Sequence, residues 1–348
     1  MPDLAAPELL GDHTTLRLGG PAASYVVART PEELTGAVTT ADEAGEEVLV
    51  LGGGSNLVIA DEGFPGVVVE VATTGVRSDL DDAGPACGGT LVTVAAGESW
   101  DDLVATAAER GWAGIEALAG IPGRVGATPI QNVGAYGQDV SQTIAQVRVW
   151  DRVLKGYRTF ANADCRFGYR TSRFKSDPGR HVVVEVTFQL RVGTLSEPVA
   201  YAELARALGV EIGERAPVAD VRAAVLGLRR GKGMVLDPAD HDTWSAGSFF
   251  TNPVIDPAAV PDGAPAYAQA DGRVKTSAAW LIERAGFGKG HPGHGPATLS
   301  TKHTLALTNR GDATTKDLLV LAREIRDGVE SRFGIRLENE PVLVGVEL

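Results

Sequence analysis

Sulfur is scarce in this chain: two cysteines, Cys87 and Cys165, serve 348 residues. That supply rules out a disulfide framework, fits a reducing compartment and leaves two buried or incidental thiols as the expectation. Long apolar runs are missing too. Stretches such as Gly66-Val67-Val68-Val69 and Val182-Val183-Val184 are strand-sized, far short of the ~20 residues that span a bilayer. No membrane span is expected. Met1-Pro2-Asp3-Leu4 has neither a basic n-region nor an apolar h-region, so a secretory signal is not expected and a cytoplasmic location is. Positive charge is in deficit, with 32 Lys and Arg against 45 Asp and Glu for a formal net charge of −13. The deficit argues against a nucleic-acid surface and against a basic membrane-binding face, so an anionic ligand must meet a local cluster. Histidine numbers six; the pair in His291-Pro292-Gly293-His294 sits in a proline-glycine turn without nearby cysteines, and no metal site is expected. Internal repeats, low-complexity segments and long linkers are absent.

Glycine is what the chain has in abundance, 43 in all. The apolar run Val48-Leu49-Val50-Leu51 empties into Gly52-Gly53-Gly54-Ser55-Asn56. Without Cβ atoms, successive N–H groups can turn inward as a nest around phosphate oxygens, and Ser55 and Asn56 add side-chain donors. The pattern is neither the two-glycine P-loop ending in Lys-Ser/Thr nor the dinucleotide fingerprint, because Leu57-Val58-Ile59 continues as a β-branched stretch rather than a long helix. An ordinary tight turn is the competing reading.

A second stretch raises the weight of the first. Gly120-Ile121-Pro122-Gly123, Gly126-Ala127-Thr128-Pro129 and Gln131-Asn132-Val133-Gly134-Ala135-Tyr136-Gly137 hold little apolar bulk. Such a stretch lets backbone lie flat on an extended cofactor, while Thr128, Gln131, Asn132 and Tyr136 supply polar heads and an aromatic wall. A buried irregular crossing is the alternative.

The length predicts two or three domains, with boundaries near 72 and 234. Thr30-Pro31-Glu32-Glu33 with Gly45 predicts a helix over 31–44, Ser99-Trp100-Asp101-Asp102 with Gly111 a second, and Thr314 with Gly334 a third. In the third, Leu318, Leu321, Ala322, Ile325, Val329 and Phe333 recur at threes and fours and read as core. Strands are expected over 47–51, 66–71, 91–96, 146–151, 182–190 and 303–308. Interleaved strands and helices give an α+β or α/β chain.

Three further segments concentrate chemistry. Phe167-Gly168-Tyr169-Arg170-Thr171-Ser172-Arg173-Phe174-Lys175 mixes rings and cations, and the Arg170 fork suits a carboxylate or phosphate. In Gly247-Ser248-Phe249-Phe250, Ser248 would face ligand while screened from bulk water. It lacks the Gly-x-Ser-x-Gly order of a hydrolase nucleophile, since Phe250 takes the last glycine's position; a plain turn serine is the alternative. Leu337-Glu338-Asn339-Glu340 read as a strand puts both carboxylates on one face, with solvated acids as the alternative.

Taken with Thr14-Thr15-Leu16-Arg17-Leu18-Gly19-Gly20-Pro21, these motifs resemble, in order and over most of the chain, the UDP-N-acetylenolpyruvoylglucosamine reductases of peptidoglycan synthesis, the MurB family. The resemblance implies an α+β architecture: a two-domain FAD-binding module of the vanillyl-alcohol-oxidase (PCMH) type over 1–71 and 72–233, then a third α+β substrate-binding domain over 234–348 whose last strand is free to pack back on the module. It implies noncovalent FAD, reduced by NADPH, held by Gly52, Gly53, Gly54, Ser55, Asn56 and Leu57 and by Ile121, Pro122, Gly123, Gly126, Ala127, Thr128, Asn132, Gly134, Ala135 and Tyr136. Hydride then passes from flavin N5 to C3 of the enolpyruvyl substrate, Arg170 and a protonated Glu340 act at its carboxylate, and Ser248 gives the proton to C2. Lys232 and Asn252 are implied at the substrate diphosphate, Tyr201 over the nucleotide, and Tyr169 beside the substrate. Partners are small molecules only, and a monomer is expected. Thr251 stands where the family often has a basic residue and Thr171 where an acid is common, departures that bear on affinity rather than on reaction type. Two rival readings share the glycine loops: an FAD-dependent oxidase using oxygen, and a noncatalytic flavin-binding protein.

Overall fold

The computed structural model describes residues 7–79, 89–293 and 295–348. Contacts divide these residues into two compact units, a first unit from Ala23–Gly53 and Pro65–Arg230, and a second from the residues up to Ala22, Gly54–Phe64 and Gly231–Leu348.

In the first unit the helix Pro31–Ala44 begins where its cap dictates. The Thr30 side chain accepts from the Glu33 N–H, Pro31 occupies the first turn, and Gly45 closes the helix at φ 71°. The Glu33 carboxylate accepts from the Arg29 N–H at 2.7 Å, one residue further out than a reciprocal box requires. The helix links the strand Ala22–Ala28 to Val48–Leu51, which runs parallel to Phe64–Val71 with Val48 opposite Val67. The three form one sheet with Phe64–Val71 in the middle.

A larger antiparallel sheet follows, in the order Gly156–Ala161, Ile144–Asp151, His181–Val192, Gly89–Ala95 and Val76–Ser78. Against it lies the helix Trp100–Glu109. Trp100 is wholly buried, its indole N–H donating to the Leu118 carbonyl at 3.0 Å and its ring 5.8 Å from Phe188. Ser99 caps this helix by accepting from the Asp102 N–H, and the Trp100 N–H donates to the Gly123 carbonyl at 3.1 Å. The start of the helix therefore fixes the second glycine loop.

At the other end of the sheet Asp151 is wholly buried. It accepts from the Val153 and Leu154 N–H groups at 3.1 Å each and from the Arg180 guanidinium at 3.0–3.2 Å. Burial pushes its carboxyl up, but the Arg180 hydrogen bonds and charge with the two backbone donors outweigh that and hold it at about 2. The buried His181 imidazole lies 3.7 Å away, and burial pushes its pKa down.

The second unit is built on the helix Thr315–Phe333, where Thr314 and Asp317 form a full capping box and Gly334 ends the helix at φ 68°. Leu318, Leu321, Ala322, Ile325 and Val329 are buried as their spacing predicts, in one core with Leu281, Ile282, Phe249 and Phe250. The strand Val342–Val344 pairs in parallel with Leu57–Ile59. The strand expected over 303–308 is corrected: only Leu307–Asn309 is strand, paired with Ala297–Leu299. Ahead of it the Ala306 N–H closes a turn onto the His303 carbonyl and the Thr304 hydroxyl donates to Glu283. The strand reading of Leu337–Glu340 is corrected too: the segment meets Phe250 through a single bridge at Asn339, and Glu338 is exposed and Glu340 half-buried.

Ile325→Ala lowers stability in chemical denaturation by about 2–5 kcal/mol through the cavity it leaves, whereas Thr314→Ala costs about 1 kcal/mol, the value of a cap. The Asp151 carboxyl sits below the ~3.9 of an unfolded aspartate, so its contribution is present above that value and lost as pH falls toward about 2. Denaturation between roughly pH 4 and pH 2 therefore shows a decline in stability that is shallower in Asp151→Asn, and identical slopes contradict this.

Candidate active site

The two glycine loops meet in the first unit. A Cβ built on Gly53 would lie 2.6 Å from Cα of Gly123, and one on Gly52 would touch the Arg124 side chain at 3.7 Å. At Gly53 backbone therefore rests on backbone with no space for a side chain, while Gly52 sits at ordinary contact distance. The second loop is fixed at several points: the Gly120 N–H donates to the Asp101 carboxylate at 2.6 Å, the Val125 N–H to the Glu98 carbonyl and the Gly126 N–H to the Ala96 carbonyl. A Cβ on Gly126 would lie 2.5 Å from that of Ala96. Ile121, Pro122 and Ala127 ride on the same loop. After Gly53 the chain passes into the second unit.

Beyond this cradle the Thr128 hydroxyl donates to the Val125 carbonyl at 2.8 Å. Asn132 is buried; its amide donates to the Gly168 carbonyl at 3.1 Å and its carbonyl accepts from the Ser141 N–H at 3.1 Å. The side chains of Thr128 and Asn132 thus shape the loop. Arg170 donates to the Gly134 carbonyl at 3.0 Å and stands over the Tyr169 ring at 5.8 Å, while Lys175 Nζ donates to the Arg170 carbonyl. Ser172 caps the short helix behind Arg170 and donates to the Ile130 carbonyl at 2.5 Å. Gly134-Ala135 pairs with Gln138-Asp139 around a turn that carries Tyr136, whose ring meets Tyr201 edge-on at 5.5 Å. Asn132, Tyr136 and Arg170 have φ near 50°, an unfavourable conformation for such side chains that accumulates where function constrains the backbone. Arg229 also acts on this region, through charge shared with Tyr136, Asp101 and Arg170. Burial pushes its guanidinium pKa down, partly offset by Tyr136 and Asp101 and reinforced by Arg170. The run Arg229-Arg230-Gly231-Lys232 at the end of the helix Val218–Gly231 was its only signal.

The second unit assembles the remaining motifs. Gly54 has φ 57°, and a Cβ there would lie 1.9 Å from the His13 carbonyl oxygen. The Thr15 hydroxyl donates to the Ser55 and Ser245 carbonyls, tying the loop to the segment before Ser248. Asn56 donates to the Glu340 carbonyl at 3.4 Å, and Leu57 lies opposite Val342. Ser248 is half-buried. Its neighbour Phe249 is held on both sides, its N–H donating to Leu305 and its carbonyl accepting from the Glu340 N–H, each at 2.8 Å. The Asn252 side chain accepts from the Ala278 N–H at 2.9 Å, starting the helix Ala278–Arg284. Lys232 is half-buried just past the end of its helix. The variant positions are small contributors: Thr251 donates to the Glu338 carbonyl, and Thr171 closes a tight turn with Gly168.

Asp242, also without a signal in the sequence, anchors the approach to Ser248. It accepts from the Thr301 N–H at 2.8 Å, the Thr301 hydroxyl at 2.5 Å and Arg310 at 2.9 Å. Burial pushes its carboxyl up and these bonds more than reverse the push. Among the described residues no three of His, Cys, Asp and Glu gather as a metal site; His291 bonds Glu324 at 3.2 Å, and His294 lies outside the described residues. Cys165 is buried and its thiol is pushed up to about 12 by burial, which makes it inert; Cys87 is outside the described residues.

A family model described as an FAD binding domain matches residues 22–154, and one described as the C-terminal domain of UDP-N-acetylenolpyruvoylglucosamine reductase matches residues 237–344. Proteins named UDP-N-acetylenolpyruvoylglucosamine reductase are similar to nearly the whole chain. The one from Cutibacterium acnes is 59% identical over 95% of this chain and 88% of its own length. That from Streptomyces avermitilis is 58% identical over 96% of this chain and 93% of its own. The crystal structure of the reductase from Thermus caldophilus superposes with a TM-score of 0.65 at 27% identity, covering 97% of this chain and 98% of that one.

The close approach of the loops is open to test by adding a methyl group. Gly53→Ala costs about 1–3 kcal/mol in denaturation, the scale of overpacking. Gly36→Ala, inside a helix with nothing within 4 Å of the new Cβ, instead gains about 0.5–1 kcal/mol.

Proposed function

The chain belongs to the UDP-N-acetylenolpyruvoylglucosamine reductase family, and from that premise we propose how its residues divide the reaction. It is an FAD-dependent oxidoreductase that reduces UDP-N-acetylglucosamine enolpyruvate to UDP-N-acetylmuramate in peptidoglycan precursor synthesis. Its architecture is α+β, an FAD-binding module followed by the family's C-terminal domain. Residues 1–71 and 72–233 are assigned to the two halves of the module and 234–348 to substrate.

The residues present fit FAD. Gly53 and Gly123 bring the two loops together backbone on backbone, with no side chain between, and bare backbone N–H groups are suited to a diphosphate. Gly52, Gly53, Gly54, Ser55, Asn56 and Leu57 take the diphosphate end. Ile121, Pro122, Gly123, Gly126, Ala127, Thr128, Asn132, Gly134, Ala135 and Tyr136 line the rest. When bound there, FAD would supply the redox chemistry, carrying hydride from NADPH to C3 of the enol ether.

The chain's own task is then to manage charge and a proton. Hydride addition at C3 leaves negative charge at C2 that spreads into the neighbouring carboxylate, so that carboxylate needs cationic and hydrogen-bonding partners fixed in advance. Arg170 supplies the cation, held by the Gly134 carbonyl. Glu340 supplies a hydrogen bond, which requires it to carry its proton. Ser248 delivers the proton to C2. A serine hydroxyl is a weak acid, and the strong basicity of the enolate compensates. Lys232 and Asn252 receive the substrate diphosphate, Tyr201 covers the nucleotide, and Tyr169 lies beside the substrate. Supporting the pairing of Ser248 with Glu340 is one observation above all, the 2.8 Å hydrogen bond from the Glu340 N–H to the carbonyl of Phe249. No described helix is long and apolar enough to cross a membrane; a cytoplasmic, monomeric enzyme acting on small molecules completes the proposal.

Ser248→Ala separates the proton from the hydride. The purified variant keeps its flavin and its bleaching by NADPH, while reoxidation by the enol ether slows by about 10²–10⁴, the range of a lost general acid. Reoxidation at the wild-type rate would overturn the assignment.

A further inference from the structure

We propose that Glu116 is a positioning residue that sets the spacing of Tyr136 and Tyr201, and so the affinity for the nucleotide part of the substrate. The inference rests on the reading above that places Tyr201 over that nucleotide. Glu116 is 1% exposed, and among the described residues no basic side chain pairs with it. An isolated carboxylate is buried at high cost unless donors replace its water. Three do: the Gly114 N–H at 2.6 Å, the Gln138 side-chain amide at 3.1 Å and the Glu197 N–H at 2.8 Å. Gln138 returns a bond by accepting from the Ala117 N–H at 3.0 Å.

What these donors belong to gives the carboxylate its purpose. Gln138 ends the two-residue turn Tyr136-Gly137, whose strands pair Ala135 with Gln138. Both turn residues have positive φ, 50° at Tyr136 and 86° at Gly137, the geometry of a type I′ turn, which prefers Asn-Gly and not a bulky ring at its first position. Such a turn persists only if its surroundings hold it. Glu197 lies on the segment leading to Tyr201, and that segment packs on the turn so closely that a Cβ on Gly137 would lie 2.9 Å from the Ala200 Cβ. A single carboxylate group thus accepts from both segments, and the two tyrosine rings meet edge-on at 5.5 Å just beyond. Gln138 and Glu197 share one oxygen and Gly114 takes the other, so a glutamine at 116 sets donor against donor whichever way its amide turns, and the shared anchor shifts.

The test uses the flavin-loaded enzyme and steady-state kinetics. Glu116→Gln is expected to raise KM for the enolpyruvyl substrate about tenfold with kcat, flavin content and NADPH bleaching near wild type, since sub-ångström support matters for binding geometry. Gln138→Leu, which keeps the buried carboxylate but removes one of its three donors, is expected to do likewise and carries the test if Glu116→Gln does not accumulate. Tyr201→Ala is the reference: in the double variant Glu116→Gln/Tyr201→Ala, KM rises no further than in Tyr201→Ala alone, because the two act through one contact. Unchanged KM in either folded variant while Tyr201→Ala raises it overturns the positioning role alone. Loss of flavin, or kcat falling with both half-reactions, also overturns it, making Glu116 a support of the cofactor bed. Unchanged KM in Tyr201→Ala overturns the reading of Tyr201 and the inference with it.

Discussion

Backbone resting on backbone, without a side chain between, is the constraint on which the proposed cofactor bed depends. Gly53 meets Gly123 at a distance that no Cβ could share, and much of the first unit serves to hold the second of these loops still. The helix Trp100–Glu109 fixes it through the Trp100 N–H and the Asp101 carboxylate, and the strand Gly89–Ala95 leads to Ala96, onto which Gly126 packs. The buried Trp100 ring then ties that helix to the large sheet through Phe188. A bare main chain offers a flat ligand many donors and no bulk, which is what a dinucleotide cofactor requires.

The second unit joins the segment of Ser248 to that of Glu340, the two residues proposed to share the proton chemistry. Ser248 and Glu340 lie far apart in sequence, and backbone hydrogen bonds at Phe249 and Thr251 join their segments. Side chains could not achieve this with equal rigidity, because each would add rotamer freedom. Behind them the core of Phe249, Phe250, Leu281 and Ile325 supplies the packing, and Asp242, with Thr301 and Arg310, pins the approach to the serine. In the proposed reaction, proton transfer would gain from this arrangement, since its rate depends on distance and orientation more than on raw affinity.

Local chemistry was legible and distant contacts were not. Thr30, Ser99 and Thr314 announced three helices because a cap acts within three residues. The glycine loops could be read as loops, but nothing in the sequence states that Gly53 touches Gly123. The run 303–308 looked like strand by composition, and a turn at His303–Ala306 with the Thr304–Glu283 bond overrode the preference. Asn132 was legible as polar, yet its side chain is used within the protein, on Gly168 and Ser141. Glu116 and Asp242 carried no motif, since a buried charge declares itself only through partners that the fold brings from elsewhere.

The central claim is tested most directly by the visible spectrum of the purified wild-type protein, followed anaerobically on adding NADPH and then UDP-N-acetylglucosamine enolpyruvate. The account predicts a flavin band that bleaches with NADPH and returns with the enol ether. A colourless protein, or a flavin that only oxygen reoxidises, would contradict it.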